Sequence, residues 1–528
     1  MLVFVSFVFL ALVIRLPFLI MSKAQATDDG MGVFSKLTFL SKSRFNTYKI
    51  GDAINHEGFF PRPNSLHYLV SRLPRALWRI ALVLGNIVPD IVVGIVLIAY
   101  LDNWSIVELF SLESSLLFLA FSTGPIFFPQ TARLKATNGR ALGYMFCSLY
   151  FVALFELSLQ SQNETILWIS SLAVALLFLV FWTSTFASQA ALFLSLTFAL
   201  VAFELKLLIP VAVFLPIAWL VKPFGVKSLI QFKIAHTKFY ARVQISSFST
   251  RKRGLFNFIR ILDLRIDRSE RIDLILKHSP VIIASYSIPV VFLILFIWYQ
   301  QATDFGSAFT QTQIEFCLAI LVVFIFTSIS WGKLFGESER YLEYAPFSLL
   351  ALLSSSIAIE YTPLILMVIS LQLGVIVLVT LLNTTGTLER LISFQKTYPK
   401  EVEEIIEYLH TLEGSKRILC VPLRFSRALS SYSMSKGYSD IKYYYRLVVS
   451  GNKTSNYLDQ SMHEMYDQNV PALRPSEYNA RYGINYFVLN HSFEGDSEFY
   501  RTLEAETEPI MNAGNLMLLS FRTKTKVD

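Results

Sequence analysis

Two adjacent carboxylates, Asp28 and Asp29, follow the first apolar run of the chain within "ATDDGMGVF" at 26–34. An acid held close to a membrane surface by a helix end is partly desolvated. Desolvation raises a carboxyl pKa toward the range in which it can take a proton from a hydroxyl or amide. A carboxylate pair also offers oxygen ligands to a divalent cation, so a metal between Asp28 and Asp29 is the alternative chemistry. Without context, the pair would read as a solvated acidic loop edge.

Three further stretches carry groups that could complete a site. "GDAINHEGFFPRPNSLHYL" at 51–69 sets His56, Glu57 and Arg62 among aromatic rings and prolines. Rings beside hydrogen-bonding groups suit a sugar, which has an apolar face, although an interfacial aromatic belt has the same composition. "GPIFFPQTARLKATNGRALG" at 124–143 gathers Arg133, Lys135 and Arg140 after an aromatic turn. Arginine presents a planar fork of donors that fits a phosphate, while three basic residues in a short loop equally fit a positive-inside anchor. "WGKLFGESERYLEYAP" at 331–346 alternates Glu337 and Arg340 with Tyr341 and other rings. It reads either as a charge-paired turn or as a second place to hold an anion.

These residues must be positioned by membrane-spanning elements. Of 528 residues, 54% are hydrophobic and 16% charged, where a soluble chain carries about 25% charged residues. The apolar residues fall into blocks near 1–21, 80–100, 105–122, 141–158, 166–184, 187–204, 206–221, 281–300, 315–331, 345–361 and 363–382. A block of about 17–22 such residues spans the hydrocarbon core of a bilayer. The fold class expected is therefore an all-α polytopic transmembrane bundle of about 10–12 spans, placing the protein in a cell membrane. The first block is expected to be a retained span, because no positive charge precedes it and Arg15 interrupts it. Cys147, Cys317 and Cys420 lie far apart and offer neither a disulfide framework nor a metal motif.

Three long segments separate or follow the blocks. The loop at 22–79 carries the acids. The loop at 222–280 holds thirteen Lys/Arg against four Asp/Glu, so contact with anionic headgroups is favoured over a nucleic acid as its partner. Its stretch "LFNFIRILDLRI" at 255–266 has the spacing of an interfacial amphipathic helix. A cytoplasmic position for this loop and for the N-terminus needs an even number of crossings between them. Seven blocks are present, so either one block within 166–221 is not a full span or two blocks have been wrongly split. Residues 383–528 form the remaining domain, a small soluble α/β tail following the transmembrane domain at 1–382. Within it, 398–410 reads as an amphipathic helix, 417–423 as a buried strand ending at Pro422, and 481–490 as a turn and strand. A further strand is expected at 515–521, paired through a hairpin at 512–514. The Tyr443-Tyr444-Tyr445 cluster is expected to pack rather than to stack a sugar.

The early acidic loop, the "GFFPRPNSLH" stretch and Arg340-Tyr341-Leu342 followed by Pro346 form a combination that resembles the GT-C-type membrane glycosyltransferases. The last of these is similar to the R-Y-(L/I/F)-x-x-x-P of the protein mannosyltransferase and aminoarabinose transferase branches. The resemblance implies a GT-C-like bundle with an α/β tail and an extracytoplasmic active site. It also implies transfer of a sugar from a polyprenyl-phosphate donor to a glycan, lipid or protein acceptor. In that scheme Asp28 or Asp29 is the base on the acceptor, and Arg133, Arg140 and Arg340 neutralise the leaving phosphate. His56, Glu57, Arg62, Lys135, Glu337 and Tyr341 would line the substrates, with no cofactor beyond an optional divalent cation. The chain departs from the family in having Asp29 where many members carry Glu, and in Gly30-Met31-Gly32 after the pair. A transporter or flippase for lipid-linked saccharides is the second reading, kept open by Glu108, Glu113, Glu156 and Glu204 in or near apolar blocks. A polysaccharide polymerase is the third.

Overall fold

The structure, a computed structural model, describes residues 3–12, 65–123, 140–220, 254–263, 307–329, 332–335, 338–356, 400–414, 416–421, 441–444, 474–490 and 498–522, with scattered positions between them. The chain divides into two compact units. The first comprises Met1–Ser22, Ile80–Lys135 and Gly139–Gly386; the second comprises Lys23–Arg79, Ala136–Asn138 and Thr387–Asp528.

The first unit is helical. Its described helices are α1 (Val3–Leu12), α3 (Trp78–Asn103, of which Ile80 onward belongs to this unit), α4 (Leu112–Thr123), α5 (Arg140–Leu159), α6 (Asn163–Thr183), α7 (Thr185–Val201), α8 (Ile209–Leu220), α9 (Ala308–Ser328) and α10 (Ala345–Ser356). A short α2 (Ser65–Ser71) belongs to the second unit. Four helices among the described residues are long and apolar enough to cross a membrane: Ile80–Asn103, α5, α6 and α9. The expected blocks at 281–300 and 363–382 lie almost wholly outside the described residues.

From α3 to α8 successive helices run in alternate directions, as side-chain contacts show. Phe4 packs on Phe110 and Phe118, with centroids 5.6 and 5.4 Å apart, so α1 begins beside the α3–α4 connection. At that end Tyr100 meets Phe155 of α5 and Phe309 of α9. At the other end of α5, Gly143 lies against Ser184 just before α7. A Cβ on Gly143 would stand 2.2 Å from the Ser184 Cβ. Small residues are what allow two helix backbones to approach this closely in lipid, where apolar burial gives little drive for helices to associate. Gly143→Ala is expected to cost about 1–3 kcal/mol by overpacking, read as a lowered melting temperature of the detergent-solubilised protein. Helix α8 starts at the Tyr100 end, where Lys206 donates to the Ser158 and Gln160 carbonyls at 2.7 and 3.1 Å. It then brings Phe214 against Phe178 and Phe181 near the end of α6. Thus α6, α7 and α8 each run from one end of the bundle toward the other. Among the described residues of the amphipathic stretch at 255–266, Asn257–Arg260 is helical.

The second unit contains the expected α/β tail. Helix α11 (Lys400–Thr411) buries Val402, Ile405, Ile406 and Leu409, the spacing of one helical face. It packs on a five-stranded sheet of order β2-β1-β3-β5-β4, built from β1 (Lys416–Val421), β2 (Ile441–Tyr444), β3 (Tyr486–Asn490), β4 (Thr507–Ala513) and β5 (Leu516–Phe521). The β2, β1 and β3 strands are parallel, whereas β5 is antiparallel to β3 and β4. Ile418, Cys420 and Val488 face α11; Leu419, Val421, Phe487 and Leu489 face α12 (Pro475–Tyr482) and α13 (Glu498–Glu506) through Tyr478 and Leu503. A sheet covered on both faces explains why β1 and β3 read as continuous apolar runs rather than alternating ones. Gly514 turns the β4–β5 hairpin at φ 56°, a left-handed conformation that glycine adopts without strain. Tyr443 and Tyr444 lie in β2, in register with Ile418 and Leu419 of β1.

Candidate anion site at one end of the helical unit

The motif around Arg340 is positioned from two sides. A 3-10 turn at Gly332–Phe335 leaves α9, and a second at Ser338–Tyr344 leads into α10. The Tyr341 hydroxyl joins them, donating to the Phe335 carbonyl at 2.9 Å. Gln189 of α7 donates to the same hydroxyl at 2.7 Å and also to the Phe335 carbonyl. Phe335 is wedged against Phe193 of α7 and Phe326 of α9. Burial pushes the Tyr341 phenol up, opposed by the Gln189 hydrogen bond and by the charge of Arg340. The phenol therefore stays protonated at physiological pH and keeps its donor role.

The α5 end supplies the other half. Arg140, the first residue of α5, forms a buried ion pair with Glu343 of the second 3-10 turn. One turn along α5, Tyr144 stacks on Tyr344 with centroids 5.4 Å apart. Between the two halves stands Phe186 of α7. Its ring lies 5.5 Å from the Arg140 guanidinium, 5.6 Å from that of Arg340 and 5.3 Å from the Tyr341 ring. A cation within about 6 Å of a ring face gains about 0.5–2 kcal/mol. One aromatic ring thereby helps hold two like charges in one place, and Glu343 matches the first. Arg340 is only partly buried. The arrangement can offer a positioned guanidinium to an anion at the end of the bundle.

Of the sequence candidates, Arg140, Arg340 and Tyr341 converge here although about 200 residues separate them in the chain. Asp28, Asp29, His56, Glu57, Arg62, Arg133, Lys135 and Glu337 lie outside the described residues. Sequence reasoning passed over Phe186, Gln189 and Glu343. The available signal for Gln189 was a lone amide within the apolar run at 187–204, and Glu343 stood inside the quoted motif. It also passed over Asp90, wholly buried directly after Pro89 in α3; an acid inside a span is a functional hypothesis in its own right.

The acids that favoured transport sit elsewhere. Glu156 accepts from the Trp104 indole at 2.8 Å, and Glu204 accepts from Ser158 at 2.9 Å with Lys206 3.6 Å away. Both lie at the Tyr100 end of the bundle, opposite the Arg140 cluster, and Glu108 is exposed in the α3–α4 connection. Among the described residues, no group of three His, Cys, Asp or Glu could hold a metal ion.

Fold and site together define a helical chain with helices long and apolar enough to cross a membrane, an arginine cluster at one bundle end and a C-terminal α/β unit. No protein-family model matches the sequence. No curated protein matches it either. Among solved structures it is similar to the oligosaccharyltransferase of Archaeoglobus fulgidus crystallised with Zn and sulfate: 10% identity, TM-score 0.45, covering 93% of this chain and 69% of the other. It is also similar to the archaeal oligosaccharyltransferase AglB from the same organism, solved with an inhibitory peptide and a dolichol-phosphate: 11% identity, TM-score 0.43, covering 95% of this chain and 70% of the other. Likeness at this level carries no argument about fold or activity.

Proposed function

We propose that the protein is a membrane glycosyltransferase that moves a sugar from a polyprenyl-phosphate donor to a hydroxyl- or amide-bearing acceptor. The observation that carries this reading is the convergence of Arg140, Arg340 and Tyr341 around Phe186, two sequence motifs brought to one bundle end. In the proposed reaction the acceptor oxygen or nitrogen attacks the anomeric carbon, and its proton passes to Asp28, or to Asp29 as the second candidate. The new glycosidic bond forms as the anomeric carbon–phosphate oxygen bond breaks, with inversion. Polyprenyl phosphate leaves carrying both electrons of that bond, so its charge must be met as it develops. Arg340 is assigned that role, since its side chain is only partly buried whereas Arg140 is buried in its ion pair with Glu343. Arg133 and Lys135 would add positive charge on the same approach, and His56, Glu57, Arg62 and Glu337 would contact the sugar or acceptor. A divalent cation at Asp28 and Asp29 is compatible with the scheme but not required, because a monophosphate donor leaves a single phosphate group. The site is assigned to the extracytoplasmic face of a cell membrane.

The test is release of polyprenyl phosphate from a panel of polyprenyl-phosphate sugars by the purified, reconstituted protein. Wild type is expected to turn over at least one donor in an acceptor-dependent manner. Arg340→Gln is expected to lower kcat about 10²-fold, the scale of losing one preorganised donor to a developing anion. Donor movement across the bilayer without any sugar transfer would instead establish the flippase reading.

A further inference from the structure

The basic stretch at 222–280 is the largest feature that the transfer reaction leaves unused. Its described portion exposes Phe256 (67%), Ile259 (54%) and Leu262 (77%) within seven residues. Exposed Arg260 and Arg265 lie among them. Arg265 is clamped locally by Asp263 at 3.0 Å, an interaction that holds the Asp263 carboxyl below its usual range. Arg271 donates to the Asp263 and Ile266 carbonyls, folding the end of the stretch back on itself. Large apolar side chains beside guanidinium groups, with thirteen basic residues against four acidic ones over the loop, are what a headgroup layer accepts.

The helix directions say which layer. Lys206 sits beside Ser158 and Gln160, whereas Phe214 sits beside Phe178 and Phe181. The α6–α7 junction that follows Phe181 is where Ser184 meets Gly143, three residues from Arg140. Helix α8 therefore delivers the chain at Leu220 to the Arg140 end. No apolar block of spanning length occurs between 222 and 280, so nothing in the sequence carries the chain across a bilayer before the block at 281–300.

We propose that the stretch at 254–263 docks into the anionic headgroup layer of the same membrane face that carries the Arg140–Arg340 cluster, opposite the α5–α6 connection; an extracytoplasmic site and the cytoplasmic position expected for this loop then exclude each other. The proposal stands on the membrane-spanning character of the chain and does not depend on the transfer reaction.

The experiment uses the full-length protein in sealed liposomes. Its three native cysteines are buried, so single introduced thiols can be read against a low background. Leu262→Cys and, as an independent position, Phe256→Cys carry an environment-sensitive fluorophore. Asp267→Cys and Gln162→Cys report sidedness to a membrane-impermeant maleimide. The expected result is loss of fluorescence at 256 and 262 with a quencher attached to lipid headgroups. That loss should deepen as phosphatidylglycerol replaces phosphatidylcholine and weaken with Arg260→Glu. Residues 267 and 162 are expected to label from opposite sides. Labelling of both from one side would overturn the shared face. Fluorophores that stay quenchable only from water in every lipid mixture would overturn lipid as the occupant, and would point instead to a protein partner or second copy.

Discussion

Asp28→Asn is expected to abolish sugar transfer to within background, a loss of about 10²–10⁴-fold in kcat, in protein that inserts and folds normally. That range is what a positioned general base contributes. Asparagine keeps the shape and the hydrogen-bonding reach of the side chain but cannot accept the acceptor's proton at any accessible pH. Donor binding should therefore be retained, and the split between kcat and KM is diagnostic. Asp29→Asn is expected to have the smaller effect. Equal loss in both variants, accompanied by loss of a titratable divalent-ion dependence, would move the assignment from a base to a metal-binding pair. Full activity in both would remove the acid pair from the mechanism and leave Arg340 to be explained without it.

Glu343→Ala is expected to destabilise the helical unit by about 3–5 kcal/mol, the usual cost of stripping one partner from a buried ion pair. The cause is the Arg140 charge left in a site where less than a tenth of either side chain reaches the surface. The measurement is thermal unfolding in a mild detergent, with binding of a non-hydrolysable polyprenyl phosphate as a second readout. Arg140→Met combined with Glu343→Leu should recover most of the stability, since two apolar groups of similar volume leave no charge unmatched. Recovery of stability without recovery of transfer would show that Arg140 also acts on substrate. Recovery of both would make the pair purely a support for Arg340 and Tyr341.

Much of the C-terminal unit was legible in the sequence because local rules coincide there with the tertiary result. Val402, Ile405, Ile406 and Leu409 recur at helical spacing, and Pro422 follows the last residue of β1. Gly514 stands where a hairpin needs a left-handed residue. Strand β2 and helices α12 and α13 were not anticipated. At four residues β2 is too short to show a period, and α12 and α13 carry mostly polar surface with a few buried rings.

In the helical unit, composition alone determined that apolar blocks would be helices, because a backbone without water must satisfy its hydrogen bonds within the segment. The residue types at Arg140, Arg340 and Tyr341 likewise offered an anion-binding chemistry, beside the plainer readings of a positive-inside anchor and a charge-paired turn. Their meeting point was decided by tertiary structure: Gly143 lets α7 close on α5, which carries Phe186 between the two guanidiniums and Gln189 under Tyr341. Hydropathy has no term for direction or rotation about a helix axis, since lipid-facing and bundle-facing residues are equally apolar. The pairing of Arg140 with Glu343, and the arrival of α8 at the same end of the bundle, depend on those two variables, and only the packed helices supply them.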